Sequence, residues 1–386
     1  KGFVTGMIAI DLQKAFDTID HEILLNKMSF IGFSEKVVNW FRSYLANRKF
    51  YVFLENQTSD VGNLNCGVPQ GSILGPLLFL IYVNDMSEAV QSDLYLYADD
   101  SCLMYQHKDV CRINDQLNED FSKLCNWFIN NKLSIHFGED KTKCILFASK
   151  QKLKKIGKLD ISYNNKSIKQ FSKISYLGSV LDESMSGESM ALNVIHKINS
   201  RIKFLYRKSD YLTYDLRRLL CNAIIQPHFD YVCSSWFLNL NKKLKLKLQA
   251  SQNKCIKFCL HLENRHRVVY ENFKKINWLP VEDRVHQCIL SHVFKFFTKK
   301  CPAYVDELFS PVNNEYMCTR NSYLKLNQPF RKTNLGKNTI SFFGPLIWNK
   351  LNDDIKQCES LNTFKHKVKD YFLLRLKNRE DDIYHF

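Results

Sequence analysis

The chain is organised around Leu94-Tyr95-Leu96-Tyr97-Ala98-Asp99-Asp100-Ser101-Cys102-Leu103-Met104-Tyr105. Alternating Leu and Tyr lead into two adjacent acids, and Cys, Leu, Met and Tyr follow them. Aromatic and apolar residues in this pattern favour strands, and Asp-Asp-Ser supplies turn chemistry. The stretch predicts a β-hairpin with two carboxylates at its tip. Neighbouring carboxylates repel by about 1 kcal/mol in water and by several times that in a drier cleft. Such a tip is either a solvated turn or a cation site, and these residues alone do not choose.

A third acid lies upstream. Met7-Ile8-Ala9-Ile10-Asp11-Leu12 reads as a buried strand ending on a carboxylate. Two-metal phosphoryl transfer needs acids from separate strands converging on two divalent ions about 4 Å apart. One ion activates the attacking hydroxyl and the other steadies the leaving pyrophosphate. Asp11 beside Asp99 would supply such a set.

The rest of the first half predicts an α+β unit, with antiparallel strands and helices on one face. Apolar spacing suggests a helix over 14–28, stopped by Gly32, and a second over 35–45 with Ser34 as cap. Phe50–Leu54 and Val61–Leu64 read as paired strands. Ser72 ends a Gly/Pro loop, Asn65-Cys66-Gly67-Val68-Pro69-Gln70-Gly71-Ser72, and can cap the apolar helix after it. Val110–Asn130 is amphipathic, with Leu117, Phe121, Leu124, Cys125 and Phe128 on one side. Strands follow at 144–148, 161–168 and 173–181. From about Ser186 the texture becomes helical, over 189–207, 214–225, 242–260 and 268–299. A less regular segment around Phe342–Trp348 and a helix near 364–376 close the chain, and the charged tail Arg379–Phe386 is expected to fray.

Composition bounds the function. Of 386 residues, 45% are hydrophobic and 13% aromatic, enough for a real core, so general disorder is excluded. The net charge of +16 is uneven: 21 basic residues face 20 acidic ones through Asp182, and 34 face 19 beyond it. This points to chemistry in the first half and a polyanion grip in the second. Thirteen cysteines without regular spacing read as reduced, mostly buried thiols. The longest apolar run, Ile73–Val83, has 11 residues and is interrupted by Gly75 and Pro76. That is far below the ~20 needed to cross a bilayer.

Three motifs carry a resemblance. Ala9-Ile10-Asp11-Leu12-Gln13-Lys14-Ala15-Phe16-Asp17, Gly67-Val68-Pro69-Gln70-Gly71-Ser72 and Tyr97-Ala98-Asp99-Asp100 resemble successive palm motifs of reverse transcriptases. In detail they are similar to the non-LTR (LINE-type) branch, and to jockey-like elements within it. The resemblance implies a right-hand polymerase palm, followed by a mostly α-helical thumb and C-terminal extension. The domains expected are a palm over 1–182, a thumb-like region over 183–262 and a basic helical extension over 263–386. The Phe343-Gly344-Pro345-Leu346-Ile347-Trp348 segment resembles regions that follow the polymerase in such elements.

The activity implied is RNA-directed DNA polymerisation, copying an RNA template from a DNA primer or target with deoxynucleoside triphosphates. Asp11 and Asp99 match the family's metal-binding acids and Asp100 its adjacent acid. The implied cofactor is magnesium as two divalent ions, with manganese able to substitute. Ala15 and Phe16 match the nucleotide pocket, Phe16 being the aromatic under the incoming sugar that excludes a 2′-hydroxyl. Gln70 and Gly71 match the loop at the templating base and nucleotide; an amide suits base edges, and glycine lets the backbone come close. Lys141 matches a basic position able to protonate or neutralise departing pyrophosphate. Tyr176, Leu177 and Gly178 are similar to a primer grip. The expected compartment is intracellular, nuclear or cytoplasmic, without a membrane.

Other readings stand beside this one. The chain starts at Lys1 directly on its first strand, so it is expected to be a fragment lacking most of the fingers, and to polymerise poorly alone. A degenerate or co-opted remnant that only binds RNA is the alternative. A two-metal cyclase is disfavoured by Pro69-Gln70-Gly71. Cys255, Cys259, His261 and His266 have cramped zinc spacing on a helical pattern and read as buried thiols instead. Trp278-Leu279-Pro280 and Trp348 read as core. Lys242, Lys243, Lys245, Lys247, Lys254 and Lys257 alternate with apolar residues, a pattern that can lay cations on a phosphate backbone.

Overall fold

The computed structural model describes residues 2–138, 140–312 and 324–378; the tail 379–386, expected to fray, lies outside them. The chain forms two compact units. One runs to Gly178 and includes Asp182–Ser184; the other holds Ser179–Leu181 and continues from Met185.

The first unit is built on an antiparallel sheet of β1 (Val4–Ile10), β6 (Asp93–Tyr97), β7 (Asp100–His107) and β8 (Lys143–Phe147), in the order β6-β7-β1-β8. Strand alternation sorts β1 into two faces. Val4, Ile8 and Ile10 enter a core shared with α4 (Val110–Asn130) through Ile113, Leu117, Phe121, Leu124 and Phe128. Gly6 is on the same side: a Cβ there would lie 2.6 Å from Ile113 and 2.7 Å from Leu117, so glycine is what lets α4 approach. Met7 and Ala9 point the other way, paired with Ile145 and Cys102. The helix expected over 110–130 forms with those bounds, capped by the Asp109 carboxylate accepting from the Cys111 amide at 3.0 Å.

Asp120, fully buried on α4, fixes the approach to β6. It accepts from the Ser92 amide at 2.9 Å, the Ser92 hydroxyl at 2.5 Å and Gln116 at 3.0 Å. Burial alone would raise this carboxyl; those bonds outweigh it and hold the group below the usual carboxylate range.

Three expectations need correction. Residues 14–20 are not helical; α1 spans His21–Ile31. Lys14 adopts a left-handed φ of 47°, Asp20 caps the Ile23 amide at 3.0 Å, and the Phe16 and Ile19 carbonyls accept from Val68 and Gly67. Cross-loop bonding overrides the apolar spacing. Gly32 does end α1, in the left-handed conformation at φ 107°.

The second correction is Phe342–Trp348. Gly344-Pro345 reads as a breaker, yet Ile340–Trp348 is a helix with Pro345 inside it. Gly344 packs so closely that a Cβ would meet Phe309 at 3.1 Å and Val293 at 3.2 Å. Trp348 is fully buried and donates to the Leu324 carbonyl at 2.8 Å.

The stretch expected to be helical over 268–299 is broken at Asn277, which is left-handed at φ 59°, into helices Tyr270–Ile276 and Val281–Phe297; elsewhere the pattern holds. α2 spans Glu35–Leu45 with Ser34 at the cap position, though no side-chain bond from Ser34 forms. The 48–64 region is a nested hairpin, β2 (Arg48–Phe50) with β5 (Gly62–Leu64) and β3 (Phe53–Leu54) with β4 (Gln57–Thr58). β9 (Ile161–Tyr163) and β10 (Lys166–Ile168) pair as expected, and β11 spans Lys173–Tyr176. In α3 (Leu74–Val83) the Ser72 hydroxyl accepts from the Gly75 amide at 3.0 Å.

The second unit is helical: Glu188–Tyr206, Tyr214–Ile224, Lys242–Leu260, Val281–Phe297 and Leu361–Lys377 are its longer helices. Trp278 and Leu279 are core residues. Cys255 and Cys259 are buried, and their thiols donate to the Ser251 and Arg217 carbonyls.

Candidate active site

The site is assembled where β1 ends and the β6–β7 turn begins. Ile10 pairs with Ser101, so Asp11, one residue beyond β1, comes level with Asp100 on the face turned away from α4. Tyr97 pairs with Asp100 around a two-residue turn of Ala98 and Asp99. Ala98 holds a φ of 51°, a conformation costly for a residue with a Cβ. Two separate strands thus present three carboxylates at one end of the sheet.

They sense one another. Partial burial first, then Asp99 and then Asp11, raise the Asp100 carboxyl above the usual carboxylate range. Asp11 meets two nitrogens as well: His136 Nδ1 is 3.4 Å and the Lys141 ammonium Nζ 3.6 Å from its Oδ2. The backbone around Asp11 is tied down, its amide donating to the Thr142 hydroxyl at 3.2 Å and its carbonyl accepting from the His136 amide at 2.8 Å. Among the described residues no group of three or more His, Cys, Asp or Glu side chains is arranged so that it could hold a metal ion. The oxygen donors at this sheet end are nevertheless of the type that hard divalent ions take.

A second cluster joins the loop after β1 to the loop before α3. Gln70 Nε2 donates to Asp17 Oδ1 at 2.9 Å, His21 Nε2 lies 2.7 Å from the Gly67 carbonyl, and the Val68 amide donates to the Phe16 carbonyl at 2.9 Å. Gly67 has a φ of 81°, and an added Cβ would sit 2.7 Å from the Asp17 carbonyl oxygen. Gly71 also has a positive φ, 80°, yet an added Cβ there would meet nothing within 4 Å. Open space faces that backbone.

Phe16 is half-buried with its ring 4.7 Å from that of Phe79, and Ala15 is buried beneath the loop. Leu177 and Gly178 form a turn with φ of 46° and 74°. Tyr176 neighbours the Cys102 thiol, which faces the same side of the sheet as Asp100. Burial first, then Cys102 and Asp100, push the Tyr176 phenol up.

Sequence reasoning passed over Asp17, His21 and His136. Asp17 was legible as an acid beside the Phe16 position; nothing local marks His136, which reaches Asp11 only through the Leu12–Ile135 bridge.

Residues 2–181 match the family described as Reverse transcriptase (RNA-dependent DNA polymerase). They are a reverse transcriptase domain. Curated relatives give the branch. The chain is 24% identical over 253 residues to the probable RNA-directed DNA polymerase from transposon X-element of Drosophila melanogaster, covering 64% of this chain and 27% of that protein. It is 25% identical over 263 residues to the RNA-directed DNA polymerase from mobile element jockey of Drosophila funebris, covering 65% and 28%. The domain is of the non-LTR retrotransposon type. The chain spans little more than a quarter of the length of these two relatives. Among solved structures, telomerase from Candida tropicalis with a fragment of telomeric RNA aligns over 79% of this chain and 48% of that one, at 14% identity and a TM-score of 0.32. That likeness is too weak to carry weight.

The reverse transcriptase domain has an α+β fold with an antiparallel sheet and the helix α4 on one face, and a mostly helical region follows it. No helix among the described residues is long and apolar enough to cross a membrane.

Proposed function

We propose that this chain carries the palm of an RNA-directed DNA polymerase that copies an RNA template into DNA from a DNA primer or target. The observation that supports it most is the register of Ile10 with Ser101, which brings Asp11 to the level of Asp100 beside Asp99. Asp11, Asp99 and Asp100 would hold magnesium, with manganese able to substitute. Bound there, divalent ions supply charge neutralisation at the attacking hydroxyl and the leaving pyrophosphate.

The chain's own residues do the rest. Gln70, oriented by Asp17, and the open Gly71 backbone receive the templating base and the deoxynucleoside triphosphate. Phe16, backed by Phe79, walls off a 2′-hydroxyl. Lys141 meets the negative charge that develops on pyrophosphate, and Tyr176, Leu177 and Gly178 steady the primer end. We assign 1–182 to the palm, 183–262 to a thumb-like region and 263–386 to a helical extension. The unpaired cysteines fit a reducing nuclear or cytoplasmic compartment.

RNA-templated primer extension with magnesium tests this. Template-directed deoxynucleotide incorporation that is lost in Asp99→Asn supports the reading. Undiminished incorporation by that variant contradicts it.

A further inference from the structure

The nested hairpin between α2 and α3 carries Lys49-Phe50-Tyr51-Val52-Phe53-Leu54-Glu55 along one strand. Phe50, Tyr51, Val52, Phe53 and Leu54 are each more than half exposed. An apolar run of this kind on a free edge is a ready template for another strand, and folded proteins normally blunt it with charge, proline or a bulge. Here the blunting is on the other side. Phe50 pairs with Gly62 and Phe53 with Thr58, so the extra residue of the hairpin sits on the opposite strand, around Asp60. The edge from Lys49 to Leu54 stays straight.

Backbone bonding shows which groups this edge offers. The Val52 carbonyl accepts from the Ser59 amide at 2.9 Å, and the Val52 amide donates to the Ser59 hydroxyl at 2.9 Å. Val52 therefore faces across the hairpin, and alternation turns the amides and carbonyls of Lys49, Tyr51 and Phe53 outward. Among the described residues no further strand takes them: β2 with β5 and β3 with β4 are each two-stranded.

The edge is complementary to itself. Turned antiparallel about Val52, it sets Val52 against Val52, Tyr51 against Phe53, Phe50 against Leu54 and Lys49 against Glu55. Tyr51 and Phe53, whose backbone groups face outward, then fall opposite one another, and the two Val52 side chains meet at a non-hydrogen-bonded pair, where side chains come closest. A slip of one residue would set outward groups against inward ones. Moving the axis to Tyr51 or Phe53 keeps that parity but sets Lys49 against Phe53, or Glu55 against Tyr51, and loses both ion pairs.

We propose that this strand pairs with the same strand of a second copy of the chain, antiparallel about a twofold axis at Val52, with Lys49 and Glu55 fixing the register. None of the residues placed in the active site takes part, so the inference is independent of the polymerase reading.

Sedimentation equilibrium of the full 386-residue chain, freed of nucleic acid, tests it over about 1 to 100 μM, the range of a small transient interface. The parent is expected to pass from monomer to dimer across that range. Val52→Lys sets two ammonium groups across the axis, and Lys49→Glu turns both ion pairs into like-charge contacts. Each should weaken association at least about tenfold. Lys49→Glu/Glu55→Lys reverses both pairs and should return association to within about threefold of the parent. Lys49, Val52 and Glu55 are exposed, so the thermal melts of all three variants should match the parent's. The proposal is overturned if the parent stays monomeric at about 100 μM. It is equally overturned if either single variant associates like the parent, or if the reversed pair fails to restore what Lys49→Glu loses. Growth beyond a dimer contradicts the closed twofold pairing.

Discussion

Lys141 Nζ lies 3.6 Å from Asp11 Oδ2, so the acid that ends the first strand already faces a cation. On the proposed reading that lysine offsets negative charge at the acids and meets pyrophosphate. In Lys141→Met, removing a positive neighbour should leave manganese affinity equal or tighter. Incorporation in primer extension should fall about a hundredfold in kcat, the scale of a lost general acid, with little change in KM. An unchanged kcat would remove Lys141 from the chemistry.

Asp100 offers a pH-dependent signature. Burial, Asp99 and Asp11 raise its carboxyl, so the folded chain holds this proton to higher pH than the unfolded chain does. Between the two values the native state binds more protons, and stability therefore falls as pH rises through that window. Asp100→Asn removes the penalty and should melt at a higher temperature than the parent at pH 7, by a margin that vanishes below pH 4. Calorimetry at both pH values checks it; a lower melting temperature at pH 7 contradicts the electrostatic account.

Gln70 is oriented by the carboxylate of Asp17, 2.9 Å away. Asp17→Ala leaves the amide free to rotate. The lost bond of about 1 kcal/mol should raise KM for the deoxynucleotide roughly fivefold while kcat holds. Equal falls in kcat and kcat/KM would mean that Asp17 acts in the transition state instead.

Phe16 rests against Phe79 with ring centroids 4.7 Å apart, so its position is held by packing. On the proposed reading, Phe16→Val opens the wall against a 2′-hydroxyl. Ribonucleotide incorporation relative to deoxynucleotide should rise about tenfold, and stability should fall by about 1 kcal/mol with the aromatic pair. Unchanged sugar discrimination would reassign Phe16 to the core.

Much of this was legible in the sequence because it rests on short-range periodicity. The Tyr97–Asp100 turn, the strand ending at Asp11 and the 110–130 helix follow from alternation, turn chemistry and apolar spacing. What was not legible depends on partners distant in sequence. The helical spacing of 14–20 is real, yet the Phe16 and Ile19 carbonyls bond to Val68 and Gly67 instead. The helix around Pro345 is held by contacts distant in sequence, Gly344 lying close against Val293 and Phe309, about fifty and thirty-five residues away. Likewise His136 reaches Asp11 only through pairing of Leu12 with Ile135. The lysines of 242–257 were visible as a pattern, but only the fold shows that Lys245 meets Glu282, Lys254 meets Asn199 and Lys257 meets the Asn264 carbonyl.

The central claim is that Asp11, Asp99 and Asp100 together hold a divalent ion. Manganese binding to the purified chain, followed by the electron paramagnetic resonance signal of the free ion, tests it without requiring turnover. The parent should bind manganese, with affinity falling at least about tenfold in both Asp11→Asn and Asp99→Asn, the scale of one lost charged ligand. Parent-like affinity in both variants would contradict the assignment.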